Sequence, residues 1–84
     1  MSAEAKIRSI LTEIAPAADL GAAGGFVSNG VIDSFDVVLI TGELEKAFGI
    51  SIDVELILPE NYDSVEALVR LVEAARERGN AGGI

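Results

Sequence analysis

The chain has 84 residues, six Lys and Arg against fourteen Asp and Glu for a formal net charge of −8, and neither His nor Cys. That composition excludes a Cys/His zinc site, a disulfide and any Cys or Ser-His nucleophile, so no catalytic residue and no bound metal is expected. So acidic a chain is repelled by nucleic-acid phosphates and anionic bilayers, which leaves basic protein surfaces as its natural partners.

Ser2 to Ala15 is predicted as the first helix. Ile7, Ile10, Leu11 and Ile14 recur at i, i+3, i+4 and i+7, Ser2 is a candidate N-cap, and Pro16 disfavours helical geometry at Ala15. Residues 16–32 form a long connection broken by Gly21, Gly24, Gly25 and the Asn29-Gly30 turn pair, with Leu20, Phe26, Val31 and Ile32 apolar enough to fold it back onto the core. An ordered loop of this length in a small domain is often functional.

The second helix is expected from just after Asp33 to Phe48. Asp33 and Asp36 stand at a variant of the capping-box spacing, and Gly49 follows as a C-cap residue. Val37, Ile40, Leu44 and Phe48 make its apolar stripe. Phe35, Val38, Leu39 and Gly42 lie away from that stripe, so the first two turns are apolar almost all round. Residues 50–62 alternate briefly at Ile50, Ile52 and Val54 but have no strand to pair with, which favours a loop and a short helical turn near 59–62 opened by Pro59. A last helix is expected from about Ser64 to Arg78. Asp63 and Glu66 form its start signal, and Val65, Leu68, Val69 and Val72 its buried face.

The expected fold is therefore all-α: a small three-to-four-helix bundle with a long first loop, one domain over 1–78 and a flexible tail over 79–84. Half the residues are hydrophobic and 25 are Ile, Leu or Val, too many for a disordered acidic tail. The longest aliphatic run, Val37 to Ile40, falls far short of the roughly 20 residues that span a bilayer. The N-terminus lacks the basic start and apolar stretch of a secretory signal, so a cytoplasmic monomer is expected.

The stretch most informative about function is Gly30-Val31-Ile32-Asp33-Ser34-Phe35-Asp36. It sets a serine hydroxyl in the first turn of a helix, where unpaired N–H groups and the positive dipole end favour a phosphoryl oxygen. Ser34 has no base to activate it as a nucleophile. Asp33 and Asp36 would repel a free phosphate but suit a covalent phosphodiester made by another enzyme that brings its own metal. The Gly-rich loop has no P-loop lysine and no preceding strand, so it is not a phosphate cradle.

This stretch, followed by Leu44-Glu45-Lys46-Ala47-Phe48-Gly49-Ile50, resembles the acyl carrier proteins. That family carries an Asp-Ser-Leu or similar triplet at the start of helix two and a downstream Leu-Glu-x-x-Phe-x-Ile pattern, matched at Leu44, Glu45, Phe48 and Ile50. The resemblance implies that Ser34 takes 4′-phosphopantetheine from coenzyme A, attached by a phosphopantetheinyl transferase, and that Asp33 helps position Ser34 and the transferase's metal. The arm's terminal thiol would hold an acyl or aminoacyl group as a thioester. A loading ligase and downstream acyl-transfer enzymes would be further partners, docking on helix two at Phe35, Asp36, Val38, Leu39, Glu43 and Glu45. The cargo would sit between helices two and three, against Phe35, Ile40, Ile57 and Tyr62.

The chain departs from the fatty-acid-synthesis pattern in having Phe35 where leucine is usual and a less acidic helix two. Residues Leu58 to Ala67 are closer to small freestanding carriers that pair with adenylating ligases, D-alanyl carriers of cell-wall modification among them. Phe35, Val38 and Leu39 either are covered as core or form an exposed docking patch. The rival function is an unmodified acidic helical interaction module using that patch.

Overall fold

The computed structural model describes residues 2–18 and 24–82, with 79–82 as backbone only. Among these it contains three α-helices, α1 (Ala3–Ile14), α2 (Ser34–Phe48) and α3 (Val65–Gly82), two short 3₁₀ turns (Val54–Leu56 and Pro59–Tyr62), and no strand. The chain is thus the all-α bundle expected, with α1 packed on both α2 and α3 and the second 3₁₀ turn packed on α3.

Local chemistry sets most of the boundaries. Ser2 caps α1 by accepting from the Ala5 N–H at 3.2 Å. Asp33 and Asp36 form a reciprocal capping box at the start of α2, and Gly49 ends that helix in the left-handed region at φ 64°. A side chain at this φ would crowd the following carbonyl, which is why glycine closes the helix. Pro59 opens the second 3₁₀ turn, where its missing N–H costs nothing.

Two boundaries differ from expectation. Ser64, not Asp63, caps α3, its Oγ accepting from the Ala67 N–H at 2.9 Å, while the Asp63 side chain turns to the long loop. At the other end, α3 runs past Arg78 to Gly82 because glycine is costly in a helix but, unlike proline, removes no hydrogen bond. The rest of the expected tail, with Leu20 and Gly21 of the first loop, lies outside the described residues.

The core is built from Ile7 and Leu11 of α1, Ile40 and Leu44 of α2, and Leu68, Leu71, Val72 and Ala75 of α3. Phe26, Ile32 and Tyr62 close it from the loops. Ile10, Ile14, Val37, Phe48 and Val69, expected on the buried stripes, are partly buried at its margin. Residues 50–62 make no ladder: Ile52 is buried, Val54 is exposed, and the Ile52 N–H donates to the Glu45 carboxylate at 2.9 Å. None of the described helices is long and apolar enough to cross a membrane.

Candidate functional site

Ser34 is the first residue of α2 and is exposed. The helix leaves its first N–H groups without intrahelical acceptors. Of these, the Asp36 N–H donates to Asp33 Oδ1 at 2.9 Å, and the Asp33 N–H donates back to Asp36 Oδ2 at 3.4 Å. Among the described residues, the N–H groups of Ser34 and Phe35 donate to no acceptor and the Ser34 hydroxyl has no hydrogen-bond partner. An oxygen-rich substituent on Ser34 Oγ would therefore meet open donors and the positive end of the α2 dipole.

The preceding loop holds Ser34 in place through a clasp centred on Asp63. The Asp63 carboxylate accepts from the N–H groups of Gly25 (3.2 Å), Val27 (2.8 Å) and Ser28 (3.0 Å), and from the Ser28 hydroxyl. Its backbone carbonyl accepts from the Phe26 N–H at 3.0 Å. The Phe26 carbonyl in turn accepts from Val31 and Ile32, both at 2.9 Å, so the clasp reaches the residue before the Asp33 cap. Gly25 sits at φ 86°, a backbone conformation that side-chain-bearing residues rarely adopt, which is why the loop carries glycine there. The Ser28 N–H, then the Val27 N–H, the Ser28 hydroxyl and the Gly25 N–H hold the Asp63 carboxyl below the usual carboxylate range, against the opposing push of desolvation.

Beside Ser34 lies an open groove of about 330 Å³, lined by Asp33 and Ser34 together with Val27, Val37, Val38, Ile57 and Pro59. The residues expected against the cargo are only partly beside this groove. Of the four residues named for it, only Ile57 lines the groove; Ile40 and Tyr62 are fully buried in the core, and Phe35 points outward, 69% exposed. Ile40 lies on the core stripe of α2. Tyr62 is drawn inward by a hydrogen bond between its hydroxyl and Thr41 Oγ1. Val37 and Val38, one turn beyond Ser34, take their place at the groove.

Phe35, Val38 and Leu39, left between core and surface by their angular spread, are exposed. The acids of α2 are each engaged within the chain. Asp36 belongs to the capping box, Glu43 pairs with Lys46 at 3.7 Å, and Glu45 accepts from the Ile52 N–H and so braces the segment after Gly49. The Asp63 clasp and the Glu45 brace are the two functional supports that sequence reasoning missed. The one available signal was a long glycine-rich loop ahead of α2, whose N–H groups at residues 25, 27 and 28 are met by a carboxylate from the far side of the chain.

A family model described as the phosphopantetheine attachment site matches residues 5–72. The chain therefore belongs to the acyl-carrier-type proteins, whose members bind 4′-phosphopantetheine covalently and act as carriers rather than catalysts. No curated protein and no solved structure gives a significant match. An exposed, unengaged serine hydroxyl, open N–H donors and an adjoining apolar groove suit such a group.

Proposed function

We propose that Ser34 is the attachment residue and that the protein is a specialised freestanding carrier, loaded by an adenylating ligase with a short acyl or aminoacyl group. The observation that carries this reading is the free, exposed Ser34 hydroxyl at the start of α2, within the matched region and on the lining of the groove. When bound, phosphopantetheine supplies a thiol that holds the cargo as a thioester. On attachment the Ser34 Oγ–H bond gives way to Oγ–P, the proton leaves to the transferase, and coenzyme A releases adenosine 3′,5′-bisphosphate.

The chain's own residues prepare that exchange. Asp33 fixes the first turn of α2, and the Asp63 clasp fixes the loop behind it; in this reading Asp33 also helps position Ser34 and the transferase's metal. Phe35, Val38 and Leu39, with Asp36, Glu43 and Glu45 beside them, form the face presented to the transferase, the loading ligase and downstream acyl-transfer enzymes. The groove stands at the small end of ligand-site volumes, roughly 300–1,000 Å³, which favours a short cargo. The resemblance of Leu58–Ala67 to freestanding carriers supports the same choice, and a cytoplasmic monomer is the setting it implies.

The test is intact mass after incubation with coenzyme A and a broad-range phosphopantetheinyl transferase. A gain of one phosphopantetheine, abolished by Ser34→Ala, is expected. No gain, with a transferase active on a control carrier, rejects the carrier function in favour of an unmodified interaction module.

A further inference from the structure

The groove beside Ser34 does not end at Val27 and Pro59. The same two residues line a second cavity of about 350 Å³, completed by Ser28, Glu60 and Asp63. The charged residues along the two are Asp33, Glu60 and Asp63, and no Lys or Arg lines either. Two of these carboxylates are engaged within the fold. Asp33 caps α2, and Asp63 accepts from the N–H groups of Gly25, Val27 and Ser28. Glu60 is exposed and has neither a hydrogen bond nor an ion pair with any described residue.

The chain has no cation to give it. Arg8 pairs with Glu4, Lys46 with Glu43, Arg70 with Glu66, and Arg78 with Asp53 and Glu55. Lys6 and Arg76, the other two of the six, lie over the Phe48 ring at 5.2 and 5.7 Å from its centroid. Other exposed glutamates stand free as well, Glu13 on α1 among them. What sets Glu60 apart is its place, in a cavity continuous with the groove that Ser34 lines. Anything tethered to Ser34 meets it as an intramolecular partner, at an effective concentration of about millimolar for a short flexible tether.

We infer that Glu60 selects the cargo: the far end of the groove favours a group that ends in an ammonium, as an aminoacyl group does, and disfavours one that ends in a carboxylate. From Ser34 Oγ to its sulfur a phosphopantetheine arm runs about fourteen bonds, roughly 16 Å extended at peptide-like spacing, which carries the cargo past Val27 and Pro59. A solvent-exposed ion pair there is worth up to about fivefold in the equilibrium between a seated and a free cargo. An anionic cargo would instead meet Asp33, Glu60 and Asp63 with no cation of the groove to offset them. This inference rests on the carrier reading and deepens it, from a short acyl or aminoacyl cargo to one with a free amine.

The test loads the wild type, Glu60→Gln and Glu13→Gln by a broad-range phosphopantetheinyl transferase, using coenzyme A analogues that carry an alanyl or a succinyl group through a stable amide in place of the thioester. Intact mass confirms loading. In NMR titrations of an isotope-labelled alanyl arm, the amine should titrate about 0.3–0.7 of a pH unit higher on the wild type and on Glu13→Gln than on Glu60→Gln. Most of that difference should vanish between roughly 50 and 500 mM NaCl. The amide resonances of Val27, Ser28 and Glu60 should move with the alanyl arm and stay at their bare-arm positions with the succinyl arm. An amine that titrates alike on the wild type and Glu60→Gln, or resonances that move equally with both arms, overturns the inference and leaves Glu60 to a cation from a partner protein. A fall in Glu13→Gln as large as in Glu60→Gln overturns it too, by assigning the effect to net charge. No loading of the wild type, with a control carrier loaded in parallel, removes the carrier reading and this inference with it.

Discussion

The hydrogen bond between Thr41 and Tyr62 makes an asymmetric prediction. Thr41 has one hydroxyl proton, which it donates to the Val37 carbonyl at 2.8 Å. The Tyr62 hydroxyl must therefore be the donor in the buried bond to Thr41 Oγ1. Thr41→Val leaves the Tyr62 hydroxyl, on a fully buried side chain, without an acceptor and should cost about 2 kcal/mol, within the usual 1–3. Tyr62→Phe leaves Thr41 still bonded to Val37 and should cost about 1 kcal/mol. The double variant, with no polar group left unpaired at the contact, should cost about as much as Tyr62→Phe alone. At roughly 4–8 °C per kcal/mol for a domain of this size, the Thr41→Val melting point should fall about 8–16 °C and that of the double variant about half as far. Urea denaturation of the four proteins at constant m-value measures all of these. Equal losses in the two single variants, or a double variant equal to their sum, would refute the assigned donor. The alkaline limb offers a check on the same residue. Burial, with the Glu45 charge nearby, raises the Tyr62 phenol above its usual value near 10. Its stabilising contribution is therefore full below pH 10 and lost as pH climbs through the folded value, a loss absent from Tyr62→Phe.

Two further outcomes follow from the site. Asp63 has its carboxyl held below the usual 3.8, so its contribution is present above that pH and lost as pH falls through the folded value. Asp63→Asn should accordingly be less stable than the wild type at neutral pH but show a flatter acid limb in melts from pH 6 to about 2; parallel limbs would exclude the clasp as the source. Asp33→Ala removes an N-cap and should cost about 1 kcal/mol in chemical denaturation, with Asp33→Asn recovering most of it. A loss in Asp33→Asn as large as in Asp33→Ala would mean that the carboxylate charge, not the cap, stabilises the helix.

What could be read from the residues in advance was local. Ser2, the Asp33/Asp36 pair, Gly49 and Pro59 each act within one turn of where they stand, so their spacing carries their meaning. Asp63 and Ser64 show where locality fails. Either can cap α3, and only the distant loop decides between them, by bringing the N–H groups of residues 25, 27 and 28 to Asp63 from 35–38 residues away. Glu45 is a similar case, since its role is set by the turn that brings Ile52 back past the end of α2. The groove was partly legible: Ile57, singled out from the sequence, lines it, but a helical stripe cannot tell which apolar residues face the core and which face a gap beside it. Tyr62 went to the core because Thr41 offered its hydroxyl a buried acceptor, a pairing across 21 residues that no spacing rule encodes.

The clasp on the loop before α2 bears on how any cargo tethered at Ser34 would find its targets. A group on a flexible tether has an effective concentration at a second site set by tether length and by the span to be bridged. That relation assumes a stationary anchor. With residues 25–28 tied to Asp63 and the Phe26 carbonyl holding Val31 and Ile32, the anchor is fixed to the body of the bundle. The volume searched is then a property of the tether alone. A loosened loop would enlarge that volume and dilute the cargo at every enzyme it visits, even with Ser34 and the docking face unchanged.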